Sequence, residues 1–109
     1  MKYIYLMTYE VHKDSSKNYD DILKPLFSML HMPQETKIET LQEKDPICYV
    51  GGSVLLVYAD AKFFDFIDKL SPDGFIGRFA DRNQLIAANP KVTSWINAKF
   101  QESLNPETK

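Results

Sequence analysis

The sequence predicts an α+β fold, a ferredoxin-like plait (βαββαβ) with an added C-terminal helix, in a single domain over residues 1–104 followed by a flexible tail at 105–109. Three observations predict it. Tyr3–Val11 alternates side chains with a strand's period of two, Ile22–Leu30 and Phe63–Leu70 repeat apolar residues at three and four, and Asn89-Pro90 opens a further helical stripe. In chain order the elements read strand, helix, strand, strand, helix, strand, helix.

Tyr3–Val11 is rich in aromatic and β-branched residues and ends at the polar run His12-Lys13-Asp14-Ser15-Ser16. Ile4, Leu6 and Thr8 share one face, and Tyr3, Tyr5, Met7 and Tyr9 share the other, so both sides need cover and the strand belongs in mid-sheet. Asn18 or Asp20 can cap the next helix, with Asp20 and Asp21 placed to favour its dipole. Pro25 predicts either a start near Ile22 or a kinked first turn. His31-Met32-Pro33 stops this helix.

Thr36–Gln42 alternates weakly and is expected as an edge strand, before the turn Glu43-Lys44-Asp45-Pro46. Ile47–Val50 and Ser53–Tyr58 flank Gly51-Gly52, which fits either a tight hairpin turn or a bulge inside one long strand; the bulge or a wide turn is favoured, with Val54–Tyr58 as a second buried strand. Asp60 caps a helix carrying Phe63, Phe66, Ile67 and Leu70, and one of Phe63, Phe64 and Phe66 must point outward. Phe75–Phe79 reads two ways: alternation fits a short strand, while Phe75, Phe79 and Ile86 also fit a helix, and Gly74 and Gly77 favour the strand. Val92, Trp95, Ile96, Phe100 and Leu104 form the stripe of the last helix, with Pro90 at its first position.

Composition narrows the function classes. Hydrophobic residues make up 44% and charged residues 26%, which suits a folded chain with one core. Thirteen basic residues against fifteen acidic ones leave a formal charge of -2, so no overall field favours a nucleic-acid backbone. Arg78 and Arg82 are the only arginines. The single cysteine, Cys48, forms no internal disulfide and has no zinc spacing, and the opening segment lacks the form of a secretory signal. No apolar run reaches membrane-spanning length. A cytoplasmic, soluble protein is expected.

Candidate residues are few. Glu10, His12 and Asp14 follow one another on one face where the first strand leaves the sheet, and imidazole with carboxylates there could hold a divalent metal. Arg78 and Arg82 could clamp a phosphate or carboxylate, or tie their segment down through Asp81. Tyr5 and Tyr9 lie on the tyrosine-bearing face of the first strand. If the helices take the other face, these rings offer a surface for a second subunit, unless the C-terminal helix folds over them. Gly51-Gly52 lacks the lysine and spacing of a phosphate loop.

The opening Tyr3-Ile4-Tyr5-Leu6-Met7-Thr8-Tyr9-Glu10-Val11, with a short polar loop and a helix after it, resembles the start of the small CRISPR adaptation proteins and their relatives among ferredoxin-like endoribonucleases. The resemblance covers about a quarter of the chain. It implies a metal-dependent nuclease with a catalytic acid at the end of strand one, shared across a dimer. Those families place an aspartate there, and this chain has Glu10.

The resulting expectation is a non-enzymatic interaction domain: an adaptor, subunit or stoichiometric inhibitor that binds a protein partner or itself as a homodimer, without a cofactor. Its binding residues are Arg78, Arg82, Tyr5 and Tyr9. Two alternatives stand beside it. One is the nuclease, using Glu10 with His12 or Asp14 and a divalent metal, and the other is a plait that senses an anion or nucleotide at Arg78 and Arg82.

Overall fold

The computed structural model describes residues 1–9, 19–70 and 74–104. They form an α+β domain around a four-stranded antiparallel sheet. The strands are β1 (Tyr3–Thr8), β2 (Ile47–Gly51), β3 (Val54–Ala59) and β4 (Phe75–Phe79), in the order β2-β3-β1-β4. Two α-helices, α1 (Tyr19–Met29) and α2 (Pro90–Leu104), accompany 3-10 segments at Ile38–Thr40, Ala61–Lys69 and Arg82–Gln84.

β1 lies in mid-sheet, as both of its apolar faces require. It pairs with β3 from Tyr3↔Ala59 to Thr8↔Val54 and with β4 from Ile4↔Phe79 to Thr8↔Phe75. The larger core cluster joins Tyr5, Met7 and Tyr9 to Ile22, Leu23, Leu26 and Phe27 of α1 and to Phe63 and Phe66. On the opposite face Ile4, Cys48, Leu56 and Tyr58 meet Val92, Trp95 and Ile96 of α2. The sheet is therefore covered from both sides, by α1 and the Ala61–Lys69 segment on one and by α2 on the other.

Three local expectations change. Thr36–Gln42 is not a strand: Ile38–Thr40 forms one 3-10 turn, closed by the Thr40 N–H donating to Lys37 O at 3.0 Å. The threonine hydroxyls of Thr36 and Thr40 donate back to Pro33 O and Lys37 O, bonds that compete with a ladder. The segment after Asp60 is a nine-residue 3-10 helix, with Asp60 as its cap through a 2.9 Å bond from the Lys62 N–H. Finally, α1 continues through Pro25 instead of starting near Ile22. Its buried row of Ile22, Leu23, Leu26 and Phe27 offsets the roughly 3 kcal/mol that an interior proline costs.

The glycine pair lies at a tight hairpin between two strands, with only Gly52 and Ser53 in the turn, and not in a wide turn or one long strand. Gly52 takes the left-handed conformation (φ 54°) in the β2–β3 hairpin, while the register between β2 and β3 shifts between Tyr49 and Gly51 as a bulge. Asn89 caps α2, its side-chain oxygen accepting the Lys91 N–H at 2.8 Å. Trp95 anchors that helix to the sheet, its indole N–H donating to Asp45 O at 2.8 Å.

Candidate functional site

The face assignment decides the fate of the tyrosines. Tyr5 and Tyr9 are 0% and 2% exposed, so they lie inside the core and not on an outer docking surface. Alternation established that they share a face, and the structure places α1 and the 3-10 segment on that same face. The Tyr5 hydroxyl donates to Asp60 O at 3.0 Å, which satisfies its polar end. Burial pushes this hydroxyl's pKa upward, against a smaller pull from Arg78.

Arg78 and Arg82 do not converge into a clamp. Arg78 pairs across β1 with Tyr5 and lays its guanidinium over the Tyr3 ring, 4.4 Å from the centroid, on the α1 side. Arg82 serves the other layer. Its Nε–H donates to Asn97 Oδ1 at 2.7 Å and its Nη1 to Leu85 O at 2.6 Å, tying the loop before α2 to that helix. Glu10, His12 and Asp14 lie outside the described residues. Among the described residues no cluster of three or more histidine, cysteine, aspartate or glutamate side chains could hold a metal ion.

The surface that stands out borders β4. In a 3-10 helix residues three apart eclipse one another, so Phe63 and Phe66 form one row while Phe64 and Ile67 form the next. The first row is buried, with parallel rings 5.8 Å apart. The second row faces solvent: Phe64 is 41% and Ile67 40% exposed. The Phe64 ring stands edge-on to Tyr5 at 5.1 Å, beside the register position of Arg78.

β4 itself hydrogen-bonds to β1 alone among the described elements. Among the described residues no strand lies beside its outer backbone groups, and Phe75 at one end is 56% exposed on the α2 side of the sheet. Ile76 packs partly on the α1 side. Short edge strands are usually blunted by lysine, proline or a bulge. Phe75-Ile76-Gly77-Arg78-Phe79 has one charge, and that charge is stacked on Tyr3. The outward Phe64 was foreseeable from helical geometry. Its union with a bare strand edge was not, because it depends on which strand ends the sheet.

No helix among the described residues is long and apolar enough to cross a membrane. Comparison with known proteins adds no name to this geometry: no family model, curated protein or solved structure matches the chain.

Proposed function

We propose that this chain is a ferredoxin-like plait with an added C-terminal helix, acting as a small non-enzymatic interaction domain that receives an extended strand of a partner protein along β4. The topology supports the plait. Read from the other edge, the strand order is β4-β1-β3-β2 with every neighbour antiparallel, and the two connections carrying α1 and the Ala61–Lys69 segment lie on one face. The second connection is a 3-10 helix in this chain, a departure from the usual α-helix.

The observation that carries the interaction reading is Phe64, a ring 41% exposed beside an edge strand whose single charge, Arg78, is stacked on Tyr3. Strand addition uses the main chain for affinity and neighbouring apolar side chains for selectivity. Phe64 and Ile76 supply such contacts on one side of the edge and Phe75 on the other. A second copy of the chain is the simplest partner, and an adaptor or inhibitor role follows if the strand comes from a different protein.

Solution mass and co-purification from the native host test this together, using the wild type and an Ile76→Lys variant. Self-pairing appears as a doubled mass that returns to one chain in the variant. A different partner appears as one stoichiometric protein that the variant no longer recovers. A wild-type chain that stays monomeric and retains no partner across several conditions overturns the reading.

A further inference from the structure

At the end of the sheet where β1 begins and β3 finishes lies a cleft of about 540 Å³, bordered by the C-terminal end of α1 and the later turns of α2. It collects Lys2, His31, Lys44, Lys62 and Lys99, facing two carboxylates, Asp60 and Glu102. Both carboxylates already have internal tasks. Asp60 caps its 3-10 segment through Oδ1, and Glu102 Oε2 accepts from Lys99 Nζ at 3.2 Å. Lys44 and Lys62 are exposed and make no ion pair among the described residues. The cleft is thus locally basic in a chain whose net charge is -2.

Two features suggest more than a chance gathering of surface lysines. Lys99 is 2% exposed, and an ammonium is costly to bury unless it is well partnered. Beside Glu102, its Nζ donates to Lys44 O at 3.2 Å and stands 5.8 Å from the Tyr58 ring and 5.6 Å from the Trp95 ring. Lys2 approaches the same Tyr58 ring at 5.7 Å. Lys99 therefore provides a fixed charge and holds the backbone from which Lys44 reaches the rim.

The second feature is His31. It occupies the left-handed conformation (φ 60°) that closes α1, with the Met32 N–H donating to Phe27 O at 2.7 Å and the His31 N–H to Ser28 O at 3.1 Å. Glycine or asparagine takes that position with less strain. An imidazole there brings a further donor to the cleft.

We propose that this cleft binds a small, multiply charged oxyanion of the phosphate class, contacted by Lys2, His31, Lys44 and Lys62, with Lys99 as the positioning residue. Four ammonium groups around one cavity repel one another, and a bound polyanion removes that repulsion while accepting their hydrogen bonds. The site is built from residues other than those of the β4 edge and stands whether or not that edge binds a strand.

Titration calorimetry with inorganic pyrophosphate, at an ionic strength held constant with sodium chloride, tests the proposal on the full chain. The expected result is saturable binding that weakens at least tenfold in a Lys44→Gln/Lys62→Gln double variant and returns in Lys44→Arg/Lys62→Arg. A Lys24→Gln/Lys37→Gln variant removes the same charge from exposed positions elsewhere and is expected to bind as the wild type does. Absence of saturable binding, or equal loss in both glutamine variants, overturns the proposal. ATP run in parallel separates two sources of the same chemistry: tighter binding than pyrophosphate assigns the cleft to a nucleotide's phosphate chain, and equal binding assigns it to the phosphate groups alone, each upholding the site.

Discussion

The two edges of the sheet are finished in opposite ways. At β2 the Ile38–Thr40 turn leads into Leu41, which packs in the same cluster as Ile47, and α2 lays Trp95 against the Cys48 side with its indole bonded to Asp45. The bulge between Tyr49 and Gly51 breaks the register at the far end of that strand. At β4, Ile76 and Phe79 pack partly into the two cluster faces, but among the described residues no strand pairs with its outer side and its register carries no break. Both edges keep apolar side chains in solvent, Tyr49 and Val50 on β2 and Phe75 on β4, but only β2 carries a register break and a packed turn, which marks β4 as the place where the sheet can be extended.

Removing the shield at β2 should have the largest effect. Trp95→Ala deletes a side chain only 2% exposed, and core truncations of this size cost about 3–5 kcal/mol. Urea denaturation should record that loss, and amide exchange at β2 should quicken more than at β4. Equal quickening at both edges would show that α2 is not the specific cover of β2.

Beside β4, the alternating rows of the 3-10 segment predict a sharp contrast. Phe63→Ala should cost about 3–5 kcal/mol, because Phe63 is wholly buried. Phe64→Ala should cost under about 1 kcal/mol in the isolated chain, because much of its ring stays in water. Urea midpoints that moved equally would break the assignment of Phe64 to an outer row.

The shielded edge also carries a pH signature. Burial raises the pKa of the Cys48 thiol, with Lys91 pulling the other way by less. Below about pH 8.5, the ordinary thiol value, folded and unfolded chains both hold the proton and Cys48 adds no pH dependence. Above it the unfolded chain ionises first and binds fewer protons, so stability falls as pH rises until the folded thiol ionises too. Cys48→Ala should flatten that decline in urea midpoints taken from pH 7.5 to 9.5. Tyr5, also raised by burial, adds a similar decline beginning near pH 10.

The smallest expected change in stability comes from the exposed edge. Phe75→Lys should shift the unfolding free energy of the single chain by no more than about 0.5 kcal/mol, since Phe75 is 56% exposed. Its effect should appear instead in association, measured by sedimentation across a concentration series. A large loss of folding stability would mean that Phe75 belongs to the core and not to the edge.

Much of the architecture was legible from local chemistry. The mid-sheet place of β1 follows from two apolar faces and the Asp60 and Asn89 caps from residue type, while Gly74 and Gly77 only tilted Phe75–Phe79 from a helix toward the strand it forms. Side-chain alternation sorted Tyr5 and Tyr9 from Ile4 and Leu6, but it carries no information about which side the helices choose. That choice turned the expected docking face into core. Phe63 and Phe66, three apart, suit an α-helix and a 3-10 helix alike, so the type of the second connection was hidden. The basic cleft left no motif at all, because Lys2, Lys44, Lys62 and Lys99 come from four separate parts of the chain and meet only in three dimensions.

The central position of β1 has a consequence for how the protein is made. Both strands that flank it, β3 and β4, come after α1 and β2 in the chain. During synthesis the tyrosine and isoleucine surfaces of β1 precede both neighbours and stay unsheltered until β3 has followed α1 and β2. Sheet closure then rests on pairings distant in sequence, which slows folding and leaves the unpaired β1 open to aggregation in the meantime.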